Sequence, residues 1–185
     1  MKTDRETTRR LVHFAFGGCA LLLDDVGCRW GLVIAGAAFV YNAFVAPSLR
    51  LDRGYRREGE PRFGGLSCYA LSVFLLILLT PTHVAAGAWA VLAAADPVAA
   101  AVGTRLPRPR APWNRAKSLT GALAGALAGA AACALVLGHG FPGRLVEGAL
   151  SAGVAGALVE TVPLPINDNL VIAGAAACAL WPWMG

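Results

Sequence analysis

Residues Leu119–Gly138 read LTGALAGALAGAAACALVLG, a run of twenty residues without a charged side chain. About 17–25 predominantly apolar residues cross a bilayer as one helix. A helix of this length in a soluble bundle would carry a polar face, and this run carries none. Gly121, Gly125 and Gly129 form a doubled G-x-x-x-G pattern, which lets a second helix approach closely. The run therefore predicts a membrane-spanning helix that packs through its glycines.

Six further apolar runs flank this one in the sequence. They are Leu11–Leu23, Trp30–Ala46, Gly64–Thr80, His83–Val102, Leu145–Val162 and Leu170–Trp183. The first is short, so we expect it to be tilted, extended by a turn into residues 7–10, or only partly inserted. No strand pattern, internal repeat or soluble second domain is visible. The sequence predicts an all-α, polytopic transmembrane helix bundle of about seven spans, forming one domain over residues 1–185.

Composition agrees with a membrane protein. Hydrophobic residues make up 57% of the chain and charged residues 15%, against roughly 25% charged in an ordinary soluble domain. A net charge of +5 is compatible with nucleic-acid binding. Basic loops are also how a membrane protein fixes its orientation, so we expect no nucleic-acid partner.

Lysine and arginine are distributed unevenly between the loops. Fourteen of the sixteen fall in the N-terminal segment and in the loops after the second and fourth runs. If all seven runs span, only Arg29 and Arg144 lie on the other side. The positive-inside rule then places the N-terminus in the cytoplasm and the C-terminus outside. We expect an integral protein of the cytoplasmic (inner) membrane of a prokaryote.

Asp96 is the one charged residue in its apolar run, and Pro97 follows it. An ionisable side chain at membrane depth needs a partner or a function. A proline frees a backbone carbonyl and can break a helix where the backbone lines a cavity. We expect Asp96 to be functional; the alternative is an aspartate paired with an arginine for packing.

Lys117 and Ser118 directly precede the run that begins at Leu119. The free N–H groups and the dipole of a helix N-terminus favour an anion there. Lys117 is thus either a phosphate ligand or only an orientation signal. Ser118 is either a ligand or the N-cap of the helix.

Two further carboxylates are predicted on the same side of the membrane as Asp96. Glu160 lies near the end of the sixth run, and Asp168-Asn169 open the seventh, where Asp168 could also be a simple N-cap. Carboxylates alone would repel one another, but Mg²⁺ binds one or two carboxylates together with substrate phosphate oxygens. Phosphoryl transfer needs mostly positioning and charge neutralisation. The pattern favours a phosphoryl-transfer site at the cytoplasmic face.

The N-terminal segment contributes a charged stripe. Glu6, Arg9, Arg10 and His13 fall on one face of a helix, and Glu60 is predicted on the same side of the membrane. A charged stripe that continues into an apolar segment should face the bundle interior. His13 is then either a buried hydrogen-bonding residue or a catalytic one.

Taken together, these motifs resemble the CTP-dependent lipid kinases: dolichol kinase, phytol kinase and the yeast-type diacylglycerol kinase. The resemblance covers almost the whole chain. In order, its motifs are Glu6-x-x-Arg9-Arg10-x-x-His13, Glu60 with Gly64-Gly65, Asp96-Pro97-x-Ala99-x-x-x-Gly103, Asn114-x-x-Lys117-Ser118-x-x-Gly121, and Glu160-x-x-Pro163 followed by Asp168-Asn169. The last two look most like the phytol kinase branch.

The resemblance implies transfer of the terminal phosphoryl group of CTP, or a related nucleoside triphosphate, to the hydroxyl of a membrane isoprenoid alcohol such as phytol, geranylgeraniol or a polyprenol. The catalytic residues that it implies are Asp96, Lys117, Asp168 and His13. The nucleotide-binding residues that it implies are Lys117, Ser118, Arg105, Asn114, Gly103, Asn169 and Arg9. Mg²⁺ would be held by Asp96, Asp168 and Glu160, and which carboxylate acts as base stays open.

Other functions remain as alternatives. The chain could be a CTP-dependent diacylglycerol kinase. It could also be a phosphatidate cytidylyltransferase, whose glycine–histidine signature the segment 138–143 weakly resembles. A transporter or a non-catalytic scaffold is the non-enzyme alternative, but a transporter should place ionisable residues near the bilayer midplane and show inverted repeats. The glycine-lined helix could pack within or between chains, so a homo-oligomer is possible.

Overall fold

The computed structural model describes residues 2–54, 56, 59–61, 63–106, 109–138 and 145–184, without the side chains of residues 2–7, 10, 53 and 54. These residues form the all-α fold that the sequence predicts. The helices are α1 (Lys2–Gly17), α2 (Leu23–Val26), α3 (Cys28–Val40), α4 (Ala46–Ser48), α5 (Gly65–Leu79), α6 (Thr82–Arg105), α7 (Leu119–Gly138), α8 (Leu145–Thr161) and α9 (Asp168–Leu180). A π-helical turn at Tyr41–Val45 joins α3 to α4, and 3₁₀ turns lie at Gly18–Leu22, Leu51–Gly54 and Trp181–Trp183.

Each of the seven apolar runs coincides with one helix or with consecutive helical segments. The first run is extended at its N-terminal side, because α1 already begins at Lys2. Within the described residues, three helical segments are long and apolar enough to cross a membrane: Cys28–Ser48, Thr82–Arg105 and Leu119–Gly138. Helix α5 is apolar but shorter. The count of seven spans stays a prediction.

The expectation that the chain has no strand was wrong at one place. Residues Arg110–Ala111 (β1) pair antiparallel with Asn114–Ser118 (β2), and this hairpin connects α6 to α7. The shorter strand has two residues, too few for an alternating pattern to be visible in a sequence.

Two expectations about helix geometry also change. Helix α6 continues through Pro97 instead of breaking there, as happens in apolar bundles where neighbouring helices support the freed backbone. The N-cap of α9 is Asn167, whose Oδ1 accepts the Asn169 N–H at 3.1 Å. Asp168 is therefore the first residue of the helix and not its cap, which leaves its carboxylate available to other groups.

Helix α6 is the centre of the bundle. It contacts α1, α5, α7, α8 and α9, and its residues from Val84 to Ala95 are all buried. The glycine face of α7 packs on it, as predicted: a β-carbon at Gly121 would lie 2.6 Å from the Ala99 carbonyl oxygen, and one at Gly125 would lie 2.9 Å from that of Ala95. Both distances are too short for a real side chain, so this close approach requires glycine.

The outward face of α7 is apolar. Leu123, Leu127 and Leu135 are 59–64% exposed, on the side of the helix opposite the buried glycines. Helix α8 exposes Val146, Leu150, Val154 and Leu158 in the same way. An exposed apolar surface of this extent is unusual in a water-soluble monomer and favours a lipid environment.

Candidate active site

A cavity of about 240 Å³ lies where the end of α6, the hairpin, the start of α7 and the end of α8 meet. Its floor is made of small residues of α6 and α7, among them Ala99, Gly103 and Gly121. Its polar wall consists of Thr104, Arg110, Lys117, Ser118, Glu160 and Thr161. The small floor residues follow from the close packing of α6 on α7, so the glycine pattern that joins the helices also shapes the cavity.

Lys117 lies in an ionic cluster, which we define as Lys117, Glu160 and Asp168. The Lys117 ammonium donates to Glu160 Oε1 at 2.7 Å and to Asp168 Oδ2 at 3.3 Å. Burial alone would lower the pKa of Lys117, but the carboxylates of Glu160 and Asp168 outweigh burial and raise that pKa above its ordinary value. The ammonium is therefore charged at neutral pH, beside the cavity.

Glu160 is the buried member of the ionic cluster. Its side chain is 5% exposed, whereas that of Asp168 is 54% exposed. Within the described part of the chain, Glu160 Oε2 is buried and has no hydrogen-bond partner. Buried carboxylate oxygens are normally satisfied, so among the described residues this oxygen is the buried one in the ionic cluster that is available to a ligand.

Asp96 connects this site to the N-terminal helix. It is partly buried in α6, and its charge acts on Lys117 and Glu160 on one side and on His13 on the other. Within the described part of the chain, three carboxylates thus share this neighbourhood with Lys117 and Arg110, and a cation would reduce the repulsion between the carboxylates.

The carboxylates suit Mg²⁺ by chemistry, since hard cations prefer oxygen ligands. The orphaned oxygen of Glu160 is also consistent with a bound cation. Among the described residues, however, no three His, Cys, Asp or Glu side chains already form a metal-binding group. The Lys117 ammonium lies between two of the three predicted ligands. Asp96, Glu160 and Asp168 therefore do not form a complete metal site by themselves, and substrate oxygens would have to complete the coordination of the ion.

Ser118 caps α7, in agreement with one of its two predicted roles. Its Oγ accepts the Gly121 N–H at 3.2 Å, and the Leu119 N–H donates to the Pro109 carbonyl at 2.9 Å. Two of the first three N–H groups of the helix are therefore already bonded within the chain. The side chains of Lys117 and Arg110, more than the helix N-terminus, are the positively charged groups that line the cavity.

Gly103 lies directly under the hairpin, where a β-carbon would come within 3.3 Å of Ser118 Cβ. Two other predicted nucleotide ligands do not line the cavity. Arg105 is exposed at the end of α6. Asn114 Oδ1 accepts the Ala116 N–H at 3.2 Å, which stabilises the hairpin.

Asn169 is also not a cavity residue but joins two of the sequence motifs. Its Nδ2 donates to the Gly65 carbonyl at 2.9 Å and so ties the start of α9 to the start of α5. Gly65 has a φ of +47°, and a β-carbon there would overlap Glu60 Oε1. Glu60 therefore folds against the Gly64-Gly65 turn, and the motifs around residues 60 and 169 meet in space.

His13 is buried in a hydrogen-bonded group between α1, α5 and α6. Its Nε2 donates to the Leu92 carbonyl at 3.2 Å, and its ring packs on that of Tyr69. Tyr69 donates to the His13 carbonyl at 3.3 Å and accepts from Trp89 Nε1 at 2.7 Å. This environment agrees with the structural alternative for His13, and the charge of Asp96 also acts on the ring.

Arg9 is on the same side of α1 as His13 and borders a small polar cleft together with Asn42, Arg56, Glu60 and Ser67. It does not line the cavity. The side chains of Glu6 and Arg10, and the segment 139–144 with its weak cytidylyltransferase resemblance, lie outside the described residues.

The prediction from the sequence did not include several residues of the site. Arg110 was counted only as an orientation signal, although it lines the cavity. Thr161 was not singled out, although it follows Glu160. Trp113 donates its indole N–H to Thr161 Oγ1 at 3.0 Å. Arg110, Trp113 and Thr161 lie beside the motifs that contain Lys117 and Glu160, and this position was a signal that could have identified them. The Tyr69–Trp89 pair was also not predicted, because it depends on how α5 packs against α6.

No family model, curated protein or solved structure matches the chain. The resemblance to the CTP-dependent lipid kinases therefore rests on the motifs alone. Fold and site define an all-α apolar bundle with an ionic cluster and a polar cavity at one end.

Proposed function

We propose that this protein transfers the terminal phosphoryl group of CTP, or of a related nucleoside triphosphate, to the hydroxyl of a membrane isoprenoid alcohol. The observation that carries the proposal is the ionic cluster, with its buried, unsatisfied Glu160 oxygen and its neighbour Asp96, beside a cavity at one end of an apolar bundle. A water-soluble donor and a lipid acceptor could meet only at such a boundary.

In this proposal Lys117 and Arg110 bind the phosphates in the cavity. Asp96 accepts the proton of the acceptor hydroxyl as the new oxygen–phosphorus bond forms at the terminal phosphorus. The bond from that phosphorus to the bridging oxygen breaks, and the nucleoside diphosphate leaves. Mg²⁺, held by Glu160 and Asp168 with Asp96 nearby, would supply neutralisation of the phosphate charge. His13 and Asn169 position α1 and α9 around this site.

We further propose seven spans, with the N-terminus in the cytoplasm and the C-terminus outside, in the cytoplasmic membrane of a prokaryote. The one-sided distribution of fourteen of the sixteen basic residues supports this orientation. The hairpin and the ionic cluster would then face the cytoplasm, where nucleoside triphosphates are available.

The decisive experiment uses purified protein, Mg²⁺ and γ-labelled CTP or ATP with phytol, geranylgeraniol, farnesol, a polyprenol and diacylglycerol. Label in an isoprenoid alcohol is the expected result. Label in diacylglycerol alone would reassign the acceptor, and α-label in lipid with pyrophosphate release would indicate a cytidylyltransferase. If no lipid takes label from any nucleotide, the proposal fails.

The site assignment is tested by Asp96→Asn, which keeps the shape of the side chain but removes the base. We expect transfer to fall by at least about 10²-fold, the lower end of what a general base contributes. Asp24→Asn is the matched control, because Asp24 is exposed on the short helix α2. Equal activity of the two variants would contradict the role of Asp96.

A further inference from the structure

Trp113 lies at the turn of the hairpin that connects α6 to α7. The residue is 55% exposed, yet its indole N–H is bonded to Thr161 Oγ1 at 3.0 Å. Thr161 is buried and forms part of the cavity wall. One edge of the indole is therefore fixed at the rim of the cavity while much of the ring stays accessible.

The hydrogen bond that fixes the ring is itself well anchored. The Thr161 hydroxyl donates to the Leu158 carbonyl at 2.7 Å, so it presents its lone pair to Trp113 and not its proton. The ring is thus held by helix α8 as well as by its own hairpin. Such pre-organisation reduces the entropy that a ligand would lose by ordering it.

The cavity is too small for a whole nucleotide. Its volume of about 240 Å³ falls below the roughly 300–1,000 Å³ of pockets that enclose a complete small ligand. Lys117 and Arg110 are in its wall, so the phosphates are the part that fits inside. The base and sugar must then extend past the rim, where Trp113 lies.

We infer that Trp113 binds the donor nucleotide by stacking its indole ring on the nucleobase. The inference rests on the proposed function for one point, that the ligand is a nucleoside triphosphate. Aromatic stacking tolerates any base, so Trp113 contributes affinity for a nucleobase without choosing between CTP and ATP.

A tryptophan at a membrane surface can also serve as an interfacial anchor, with its N–H directed to lipid headgroups. In this protein the N–H is directed into the protein, to a residue of the cavity wall. That direction favours the nucleotide over the lipid as the partner of the ring.

The test is equilibrium binding of Mg·CTP and of Mg·tripolyphosphate to the full chain in detergent, with no lipid acceptor present. We expect Trp113→Leu to weaken CTP binding by roughly 10-fold, within the range of base–aromatic stacking, and to leave tripolyphosphate binding unchanged. Trp113→Phe, which can still stack, should stay within about threefold of the wild type. Trp181→Leu is the matched control, because Trp181 is also exposed but follows the far end of α9.

Unchanged CTP binding in Trp113→Leu would overturn the inference and indicate an interfacial ring. An equal loss for CTP and tripolyphosphate would also overturn it, since the residue would then only shape the hairpin. Failure of the proposed function would be distinguishable from failure of this inference. If the wild type binds CTP through Trp113 but transfers no label to any lipid, the inference holds and the protein is not a kinase of this class.

Discussion

Replacing Lys117 by methionine should destabilise the protein mainly through Glu160. Methionine keeps an unbranched apolar stem of similar length but removes the ammonium that pairs with Glu160 Oε1 at 2.7 Å. The Glu160 side chain is only 5% exposed, so its carboxylate would be left buried without a counter-charge. Asp168, at 54% exposure, can be solvated without Lys117.

The loss of stability in Lys117→Met can be worked from the exposed fractions of the Glu160 and Asp168 side chains. Breaking a buried ion pair by removing one partner costs about 3–5 kcal/mol, whereas an exposed pair contributes about 0–1 kcal/mol. Because the Lys117 side chain is 29% exposed, we expect the lower end, about 3 kcal/mol. For a chain of this length that corresponds to a fall of roughly 6–12 °C in Tm.

The assay is thermal unfolding in detergent, with two comparison variants. Glu160→Gln in the Lys117→Met background removes the stranded charge and should recover most of the lost stability. Asp168→Asn alone should cost less than about 1 kcal/mol. The pKa of Lys117 is raised above 10.5, so its contribution is complete below that pH and lost only above it. The Lys117 charge is therefore present in the wild type at both about pH 7 and about pH 9.

Two results would refute this reasoning. One is a Lys117→Met variant as stable as the wild type, which would mean that Glu160 is not buried with Lys117. The other is a larger loss for Asp168→Asn than for Lys117→Met, which would place the main partner of the ammonium at Asp168.

Two further predictions concern packing and orientation. Gly121→Ala should lower the free energy of unfolding by about 1–3 kcal/mol, because its β-carbon would lie 2.6 Å from the Ala99 carbonyl oxygen. The control is Gly174→Ala, where nothing lies within 4 Å, and this change should be neutral or stabilise by up to about 1 kcal/mol. Equal effects of the two variants in thermal unfolding would contradict the packing of α7 on α6. Reporter fusions at the two termini should be active on opposite sides of the membrane, with the N-terminal fusion in the cytoplasm; two fusions on one side would contradict seven spans.

The helices could be predicted almost completely from the sequence, since runs such as Leu119–Gly138 and Gly64–Thr80 match α7 and α5 to within a residue at each end. Hydrophobic runs are a local property, and in an apolar environment the backbone must satisfy its own hydrogen bonds, which a helix does. The hairpin could not be predicted in this way. Its strands are short, and its pairing is fixed by the two helices that it connects.

The candidate site could be predicted only in part. The sequence identified Lys117, Glu160 and Asp168 as residues of one membrane side, and the structure brings these three into contact. Arg105, Asn114 and Arg9 belong to the same motifs but do not line the cavity. A motif specifies only the order and spacing of its residues. The direction in which each side chain points depends on how its helix or loop packs in the folded protein.

The sequence by itself determined that this is an apolar, largely helical chain with its ionisable groups near the ends of the apolar runs, because the hydrophobicity of a run is a property of consecutive residues. Only the tertiary structure decided which groups meet. Lys117 and Glu160 are 43 residues apart, and Asn169 reaches the carbonyl of Gly65 across 104 residues. Such contacts depend on how α6 is surrounded by its neighbours, and that arrangement also creates the cavity whose rim holds Trp113.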